Sequence, residues 1–235
     1  MQELWMEVKM INMNPERELI GFLVRHGELR IGENRWDGWG NFNLSLEGRE
    51  SLEKTAQWLS FHRIGRVISS DLPRAVQSAE IIMQGCNVAC PYTACDPNLR
   101  SWAIGWFTGK EKTPERKDEF RKYMKNPDLV IPEGESHNQF EKRVVVIDQY
   151  LATPYDGLPT VIVLHNSVIK ARLGIDHGGD VLDPGGVMAV YLTESGAFDF
   201  EIVLGDTDFD FKHGLESGEW THNPQNTKMG LYGDS

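Results

Sequence analysis

The feature that most constrains the fold is an apolar stretch at residues 19–24 that ends abruptly in Arg25, His26 and Gly27. A short continuous apolar run bounded by a breaker is typical of a fully buried strand in a parallel sheet. Sheets of this kind keep their ligand crevices at the carboxyl ends of the strands, and Gly27 lets the backbone turn away sharply there. We therefore expect Arg25 and His26 to lie at a crevice, although a lone histidine at a strand end also fits a hydrogen-bonded structural role.

Two further stretches predict buried strands whose carboxyl ends carry polar side chains. Residues 160–164 are apolar and are followed by His165, and residues 66–70 are followed by a predicted helix. Ser70 or Asp71 is the expected N-cap of that helix, and Pro73 near its start places Arg74 in the first turn. On position alone, Arg74 fits a solvated surface arginine equally well.

The remaining elements follow from helical spacing, capping signals and alternating strands. Helices are predicted at 46–61 with Ser45 as N-cap, after Thr113-Pro114, at 136–151 with a Ser136/Gln139 capping box, and at 168–173; strands are predicted at 88–94, 187–193 and 198–204. This order predicts an α/β fold of three layers, a mostly parallel central sheet flanked by helices, over residues 19–204. Residues 1–18 are expected to be peripheral. Residues 205–235 have no apolar period and are expected to form a loosely ordered tail.

Charge and cysteine content restrict the class of protein. The 235 residues include 24 Lys and Arg against 35 Asp and Glu, a net charge of −11, so the basic footprint of a nucleic-acid or anionic-membrane binder is missing. Cys86, Cys90 and Cys95 are odd in number and match no zinc spacing, which favours a reducing compartment over a metal site. With no signal-peptide pattern or membrane-spanning stretch, we predict a cytoplasmic protein without metal or other cofactor, and leave its oligomeric state open.

Two arginines and two histidines from separate strand ends can converge above the predicted sheet. Transfer of a phosphoryl group needs an in-line nucleophile and cations around the equatorial oxygens, and a neutral imidazole can be that nucleophile. Neighbouring arginines disfavour protonation of the ring and bind phosphate through forked hydrogen bonds. The set Arg25, His26, Arg74 and His165 therefore favours phosphoryl chemistry on a small phosphorylated substrate.

Five pieces of the chain, in register over about residues 19–204, resemble the histidine phosphatase superfamily in its phosphoglycerate-mutase-like branch. They are Leu23-Val24-Arg25-His26-Gly27-Glu28, Leu44-Ser45-Leu46-Glu47-Gly48, residues 69–79 from Ser69 to Ala79, Pro132-Glu133-Gly134-Glu135-Ser136, and residues 163–170 from Val163 to Lys170. One Arg-His-Gly is weak support for a family, but five ordered pieces are strong.

The resemblance implies a metal-independent phosphatase in which His26 is transiently phosphorylated. Arg25, Arg74 and His165 would then hold the phosphoryl oxygens and stabilise charge in the transition state. Asn34 is similar to a pocket asparagine of the family, in a loop of different length. Arg100, in the loop after the predicted strand at 88–94, and Asn166, directly after His165, are the other expected substrate-binding residues.

One position departs from the family pattern. The family usually has Leu-Arg-Glu where this chain has Leu99-Arg100-Ser101, and the glutamate protonates the leaving oxygen; a second glutamate often found in that loop is Thr108 here. Glu28, Glu135 and Asp180 are replacement acids that the sequence does not rank, and water is the alternative. Two other functions stay open: a regulatory protein that binds a phosphate ligand without efficient catalysis, and a phosphoglycerate mutase.

Overall fold

The computed structural model describes residues 17–32, 34–90, 94–175 and 179–205. Its centre is one sheet of six strands in the order β3-β2-β4-β1-β5-β6. The strands are β1 (Arg17–Arg25), β2 (Arg66–Ser69), β3 (Ala94–Cys95), β4 (Thr160–Leu164), β5 (Val187–Thr193) and β6 (Phe198–Leu204). β1, β4, β2 and β3 pair in parallel, whereas β5 is antiparallel to both β1 and β6. The predicted α/β fold with a mostly parallel sheet is confirmed.

Helices cover both faces of this sheet. They are α1 (Leu46–Leu59), α2 (Pro73–Gly85), α3 (Pro114–Lys125), α4 (His137–Val144), α5 (Val146–Ala152) and α6 (Asn166–Leu173), with two 3₁₀ turns at Pro97–Leu99 and Gly105–Phe107. Strand side chains alternate between the faces, so that Phe22 and Val24 join a core with α1 and α2, while Leu23 joins the core containing α4, α5 and α6. Both polar strand ends are thereby fixed by buried apolar residues on two sides.

Two elements differ from their predictions. The predicted strand at 88–94 contributes only Ala94 and Cys95 to the sheet, with Val88 in an isolated bridge to Ile64 and residues 91–93 outside the described residues. This strand lies at the sheet edge and has only the four-residue β2 to pair with. The predicted helix at 136–151 divides into α4 and α5 at Val145, inside a run of four β-branched residues that lowers helix propensity.

The chain ends are described only in part. β1 begins at Arg17, within the segment predicted to be peripheral, while residues 1–16 and the predicted tail beyond Gly205 lie outside the described residues. The division into a core and two terminal segments therefore stays a prediction. None of the described helices has both the length and the apolar composition needed to cross a membrane. A cytoplasmic location likewise stays a prediction.

Candidate active site

His26 is held at the carboxyl end of β1 by its own backbone and by that of its neighbour. Its N–H donates to the carbonyl oxygen of Leu164 on β4 at 2.9 Å, and its ring Nδ1 lies 2.7 Å from the carbonyl oxygen of Gly27. Since a carbonyl oxygen can only accept, Nδ1 carries the proton and Nε2 keeps its lone pair. Gly27 is needed for close approach as well as for the turn, because a Cβ there would lie 2.5 Å from the carbonyl oxygen of Gly48 on α1.

The surroundings of His26 keep its imidazole neutral. Burial is the largest cause, followed by the positive charges of Arg74 and Arg25, and together they lower the pKa of His26 to about 3. Asp37 and the carbonyl of Gly27 oppose this shift only in part. At neutral pH the ring is therefore a buried, unprotonated nitrogen base with one free lone pair.

Arg74 is completely buried, so the surface alternative considered for it is wrong. It follows Pro73 in the first turn of α2, whose N-cap is Leu72 rather than Ser70 or Asp71. Its guanidinium donates to the carbonyl oxygens of Gly38 at 2.7 Å and Gly40 at 3.2 Å, to Ser101 Oγ at 3.1 Å and to His165 Nδ1 at 3.3 Å. The loop after β1, the loop after β3 and the end of β4 are thus joined at one side chain.

His165 stands opposite His26, with 5.1 Å between the ring centroids. Because its Nδ1 accepts from Arg74, the proton of its neutral ring is on Nε2. That Nε2 is buried and has no hydrogen-bond partner among the described residues. Burial, then Arg74 and His26, hold the pKa of His165 well below its usual value. A buried N–H donor without a partner, beside a nucleophilic nitrogen, suits binding of an anionic oxygen.

Arg25 reaches the same strand ends from the other side. Its Nη1 lies 2.6 Å from the carbonyl oxygen of Leu182 and 2.6 Å from Asp180 Oδ2, while its buried Nε has no hydrogen-bond partner in the described part of the chain. Asn166 binds this segment through its amide, which donates to Asp180 Oδ1 at 3.0 Å and accepts from the N–H of Val181 at 2.9 Å. Asn166 therefore orients the partner of Arg25, and substrate contact by Asn166 stays a prediction.

Arg100 and Asn34 lie in other surroundings. Arg100 donates from Nε and Nη2 to the two carboxylate oxygens of Asp71, both at 2.6 Å, and its Cζ lies 4.6 Å from the ring centre of Trp39. Asn34 is exposed, and its amide lies 3.3 Å from the carbonyl oxygen of Lys112. Substrate binding by these two residues stays a prediction, and Arg100 would have to leave Asp71 to do it.

Ser101 is buried and binds the loop that follows β1. Its Oγ donates to the carbonyl oxygen of Gly38 at 2.9 Å and accepts from Arg74 at 3.1 Å. The hydroxyl thus has both a donor and an acceptor partner within the protein. We infer a positioning role for Ser101, since a serine hydroxyl is a poor acid near neutral pH.

The three carboxylates named from the sequence have distinct positions. Glu135 pairs with Arg143 at 2.6 Å and accepts from the N–H of Ala103 at 2.9 Å. Asp180 pairs with Arg25, and Glu28 is exposed.

Two charged residues of the site were missed by the sequence reasoning. Asp37 Oδ2 lies 3.2 Å from Arg74 Nη2. Burial alone would raise the pKa of Asp37, but the charge of Arg74 lowers it below its usual value. Lys112 is half-buried, and burial lowers its pKa although Asp37 and Asp180 oppose the shift. The signal for Asp37 was its place in the tryptophan-rich loop leaving β1.

Comparison with known proteins agrees with this geometry. The family model of the histidine phosphatase superfamily (branch 1) matches residues 22–181. The chain belongs to this family. Among the described residues, no group of three histidine, cysteine or acidic side chains is arranged to hold a metal ion.

Proteins similar to this chain in sequence carry a mutase name, and a solved structure with the same fold carries a phosphatase name. The chain is 34% identical over 128 residues to a probable phosphoglycerate mutase GpmB of Cronobacter sakazakii, an alignment of 52% of this chain and 58% of that protein. It is 32% identical over 159 residues to the Yersinia pestis protein of the same name, covering 65% and 72%. A mycobacterial glucosyl-3-phosphoglycerate phosphatase, 18% identical, superposes with a TM-score of 0.66 over 81% of this chain and 99% of its own, which shows the shared fold.

Proposed function

We propose that the protein hydrolyses a phosphate monoester, or a related small phosphoryl compound, through a phosphohistidine on His26. The observation that carries this proposal is the fixed orientation of the His26 ring, whose Nδ1 is held by Gly27 at 2.7 Å. Nε2 thereby keeps its lone pair in a ring that lies 5.1 Å, between centroids, from that of His165, whose buried Nε2–H has no partner among the described residues, and the charge of Arg74 acts on the His26 ring. This combination supplies both a nucleophile and donors for phosphoryl oxygens.

The reaction has two displacement steps at phosphorus. In the first, Nε2 of His26 attacks the phosphorus atom and the leaving oxygen departs with the electron pair of the P–O bond. Arg25, Arg74 and the Nε2–H of His165 bind the equatorial oxygens, whose negative charge grows in the transition state. In the second, water attacks phosphorus, the P–N bond breaks, and its electron pair returns to Nε2.

The decisive experiment is hydrolysis of p-nitrophenyl phosphate in the presence of a chelator by the native chain and by His26→Ala. We expect turnover in the native chain and its loss in the variant. His62→Ala is the matched control, because His62 lies beyond the far end of α1, a helix of 14 residues, and packs on Trp58. Equal turnover in the native chain and His26→Ala would refute the phosphohistidine route.

Ser101 supports a second candidate, a regulatory protein that binds phosphate compounds without efficient catalysis. The acid of the family pattern is missing at that position, and the Ser101 hydroxyl is engaged with Gly38. Such a protein would bind vanadate or inorganic phosphate tightly and release no phosphate from any ester. Vanadate titration together with the hydrolysis assay distinguishes the two.

The names of the relatives support a third candidate, a phosphoglycerate mutase. A mutase would move the phosphoryl group between two hydroxyls of one substrate and release little inorganic phosphate. Incubation with 3-phosphoglycerate, followed by phosphorus NMR of the products, separates isomerisation from hydrolysis.

A further inference from the structure

The loop after β1 occupies the space next to Ser101. The carbonyl oxygen of Gly38 accepts from Ser101 Oγ at 2.9 Å and from Arg74 at 2.7 Å. The backbone is so close to the next loop that a Cβ on Gly38 would lie 2.4 Å from Thr108 Oγ1. A longer side chain at position 101 would need this same space. Because Ser101 is small, the loop after β1 can pack beside it. Asp37 is the residue that precedes Gly38 in this loop.

The surroundings of Asp37 suit a carboxylate that takes part in proton transfer. Its Oδ2 pairs with Arg74, which also donates to His165, so the carboxylate is linked to the two-histidine cluster through one guanidinium. The side chain of Asp37 is 39% exposed, which leaves it open to water. The charged and titratable groups that act on it are Arg74, His26, Arg25 and, from the loop before α3, Lys112.

The other candidate carboxylates are less suitable. Glu135 is engaged by Arg143 and by the N–H of Ala103. Asp180 pairs with Arg25 at 2.6 Å and accepts from the amide of Asn166 at 3.0 Å. Of the acidic residues considered, only Asp37 pairs with Arg74, and its negative charge acts on the pKa of His26.

Resting on the phosphohistidine route proposed above, we propose that Asp37 is the base of the second step, accepting the proton of the water that hydrolyses phosphohistidine. The water oxygen forms the new P–O bond while the P–N bond breaks and its electron pair returns to His26 Nε2. One water proton passes to a carboxylate oxygen of Asp37, and inorganic phosphate leaves. Asp37 then releases the proton to solvent, and the site returns to its starting state.

Because Asp37 is ionised at neutral pH, its role in proton transfer differs between the two steps. The carboxylate is ionised at neutral pH and can take a proton in the second step, while the charge of Arg74 lowers its pKa and makes it a weaker base than an ordinary aspartate. The same charge makes it a poor donor to the leaving oxygen in the first step. The structure thus assigns the proton transfer to dephosphorylation and leaves the first step dependent on the leaving group itself.

The test measures the two steps separately. Release of p-nitrophenol from p-nitrophenyl phosphate follows the first step, and loss of label from protein that carries radioactive phosphate on His26 follows the second. In Asp37→Asn, which keeps an oxygen acceptor for Arg74, we expect dephosphorylation to slow by roughly 10²–10⁴-fold, the usual worth of general base help. The rate of the first step should change by less than about tenfold. A burst of p-nitrophenol should therefore appear, and labelled phosphohistidine at His26 should accumulate. Asp148→Asn is the matched control, since it removes the same charge from a carboxylate that pairs with Arg172, and it should show no such accumulation.

A second variant separates proton transfer from positioning of Arg74. In Asp37→Ala, added formate should restore dephosphorylation, because a small carboxylate can take the vacated place, and should leave the native chain unaffected. Equal slowing of both steps in Asp37→Asn, equal accumulation in Asp148→Asn, or no rescue by formate would each overturn the assignment. Failure of the phosphohistidine route itself would look different, since the native chain would then form no labelled His26.

Discussion

Replacing Arg74 by lysine keeps the buried positive charge and removes only the shape of the guanidinium. The native side chain donates to four acceptors that lie on three loops or strand ends: Gly38, Gly40, Ser101 and His165. Lysine carries its three N–H donors on one nitrogen atom, which cannot reach all the acceptors that surround the edge of the guanidinium plane. We expect two of the four acceptors to lose their partner.

The expected size of the effect follows from burial. A buried acceptor left unpaired costs about 1–3 kcal/mol, so two acceptors predict a loss of roughly 2–6 kcal/mol in the free energy of unfolding. For a chain of this size each kcal/mol lowers Tm by about 2–4 °C, which predicts a fall of roughly 4–24 °C. Because His165 Nδ1 also loses its donor, the tautomer of His165 is no longer fixed, and turnover should fall by about 10²-fold or more.

Urea unfolding followed by tryptophan fluorescence measures the free energy of unfolding of native and Arg74→Lys protein. Arg49→Lys is the matched control, because Arg49 is exposed on α1 with one long contact to Gln77 at 3.4 Å, and it should change stability by less than about 0.5 kcal/mol. An Arg74→Lys variant as stable as the control would refute the view that Arg74 joins the three loops.

Three further outcomes are expected. Because the pKa of His26 is about 3 when folded against 6.5 for the free group, the unfolded chain binds the extra proton between these two values. The free energy of unfolding should therefore fall by up to about 1.4 kcal/mol per pH unit from pH 6.5 to about pH 3, and His26→Gln should reduce that slope in urea titrations. Gly38→Ala, with a φ of +45° and no room for a Cβ, should lower Tm more than Gly157→Ala, where φ is +65° and nothing lies within 4 Å. Ser101→Glu should lower the free energy of unfolding by about 1–3 kcal/mol through overpacking. It should not raise the rate of hydrolysis of alkyl phosphates, which should stay slower than that of aryl phosphates, acyl phosphates or phosphoramidates.

The parts of the site that could be predicted from sequence are those fixed by local signals. His26 and His165 each follow an uninterrupted apolar strand, and burial of such strands on both faces leaves their carboxyl ends at one edge of the sheet. Arg74 was placed in the first turn of α2 by Pro73. Its burial could not be predicted, because that depends on two loops folding over the guanidinium.

The loop residues could not be placed from sequence because their partners are distant in the chain. Arg100 was predicted at the substrate, yet the structure pairs it with Asp71, 29 residues away, through two short contacts. No periodicity or capping rule records such a pairing. The division of the predicted helix at Val145, by contrast, has a local cause that the β-branched run already contained.

Asp37 illustrates how a change at one position and a residue elsewhere can be linked through packing. In the sequence, Ser101 stands where the family pattern has an acidic residue, and nothing near it in the chain replaces that carboxylate. In the structure, the Ser101 hydroxyl and Arg74 hold the same carbonyl, that of Gly38, and the preceding residue brings a carboxylate to Arg74. This carboxylate comes from a different loop, and its lowered pKa means that it is ionised at neutral pH and has no proton to donate to a leaving oxygen. A chain with this arrangement should therefore retain the hydrolysis of phosphohistidine and depend on the substrate for a good leaving group.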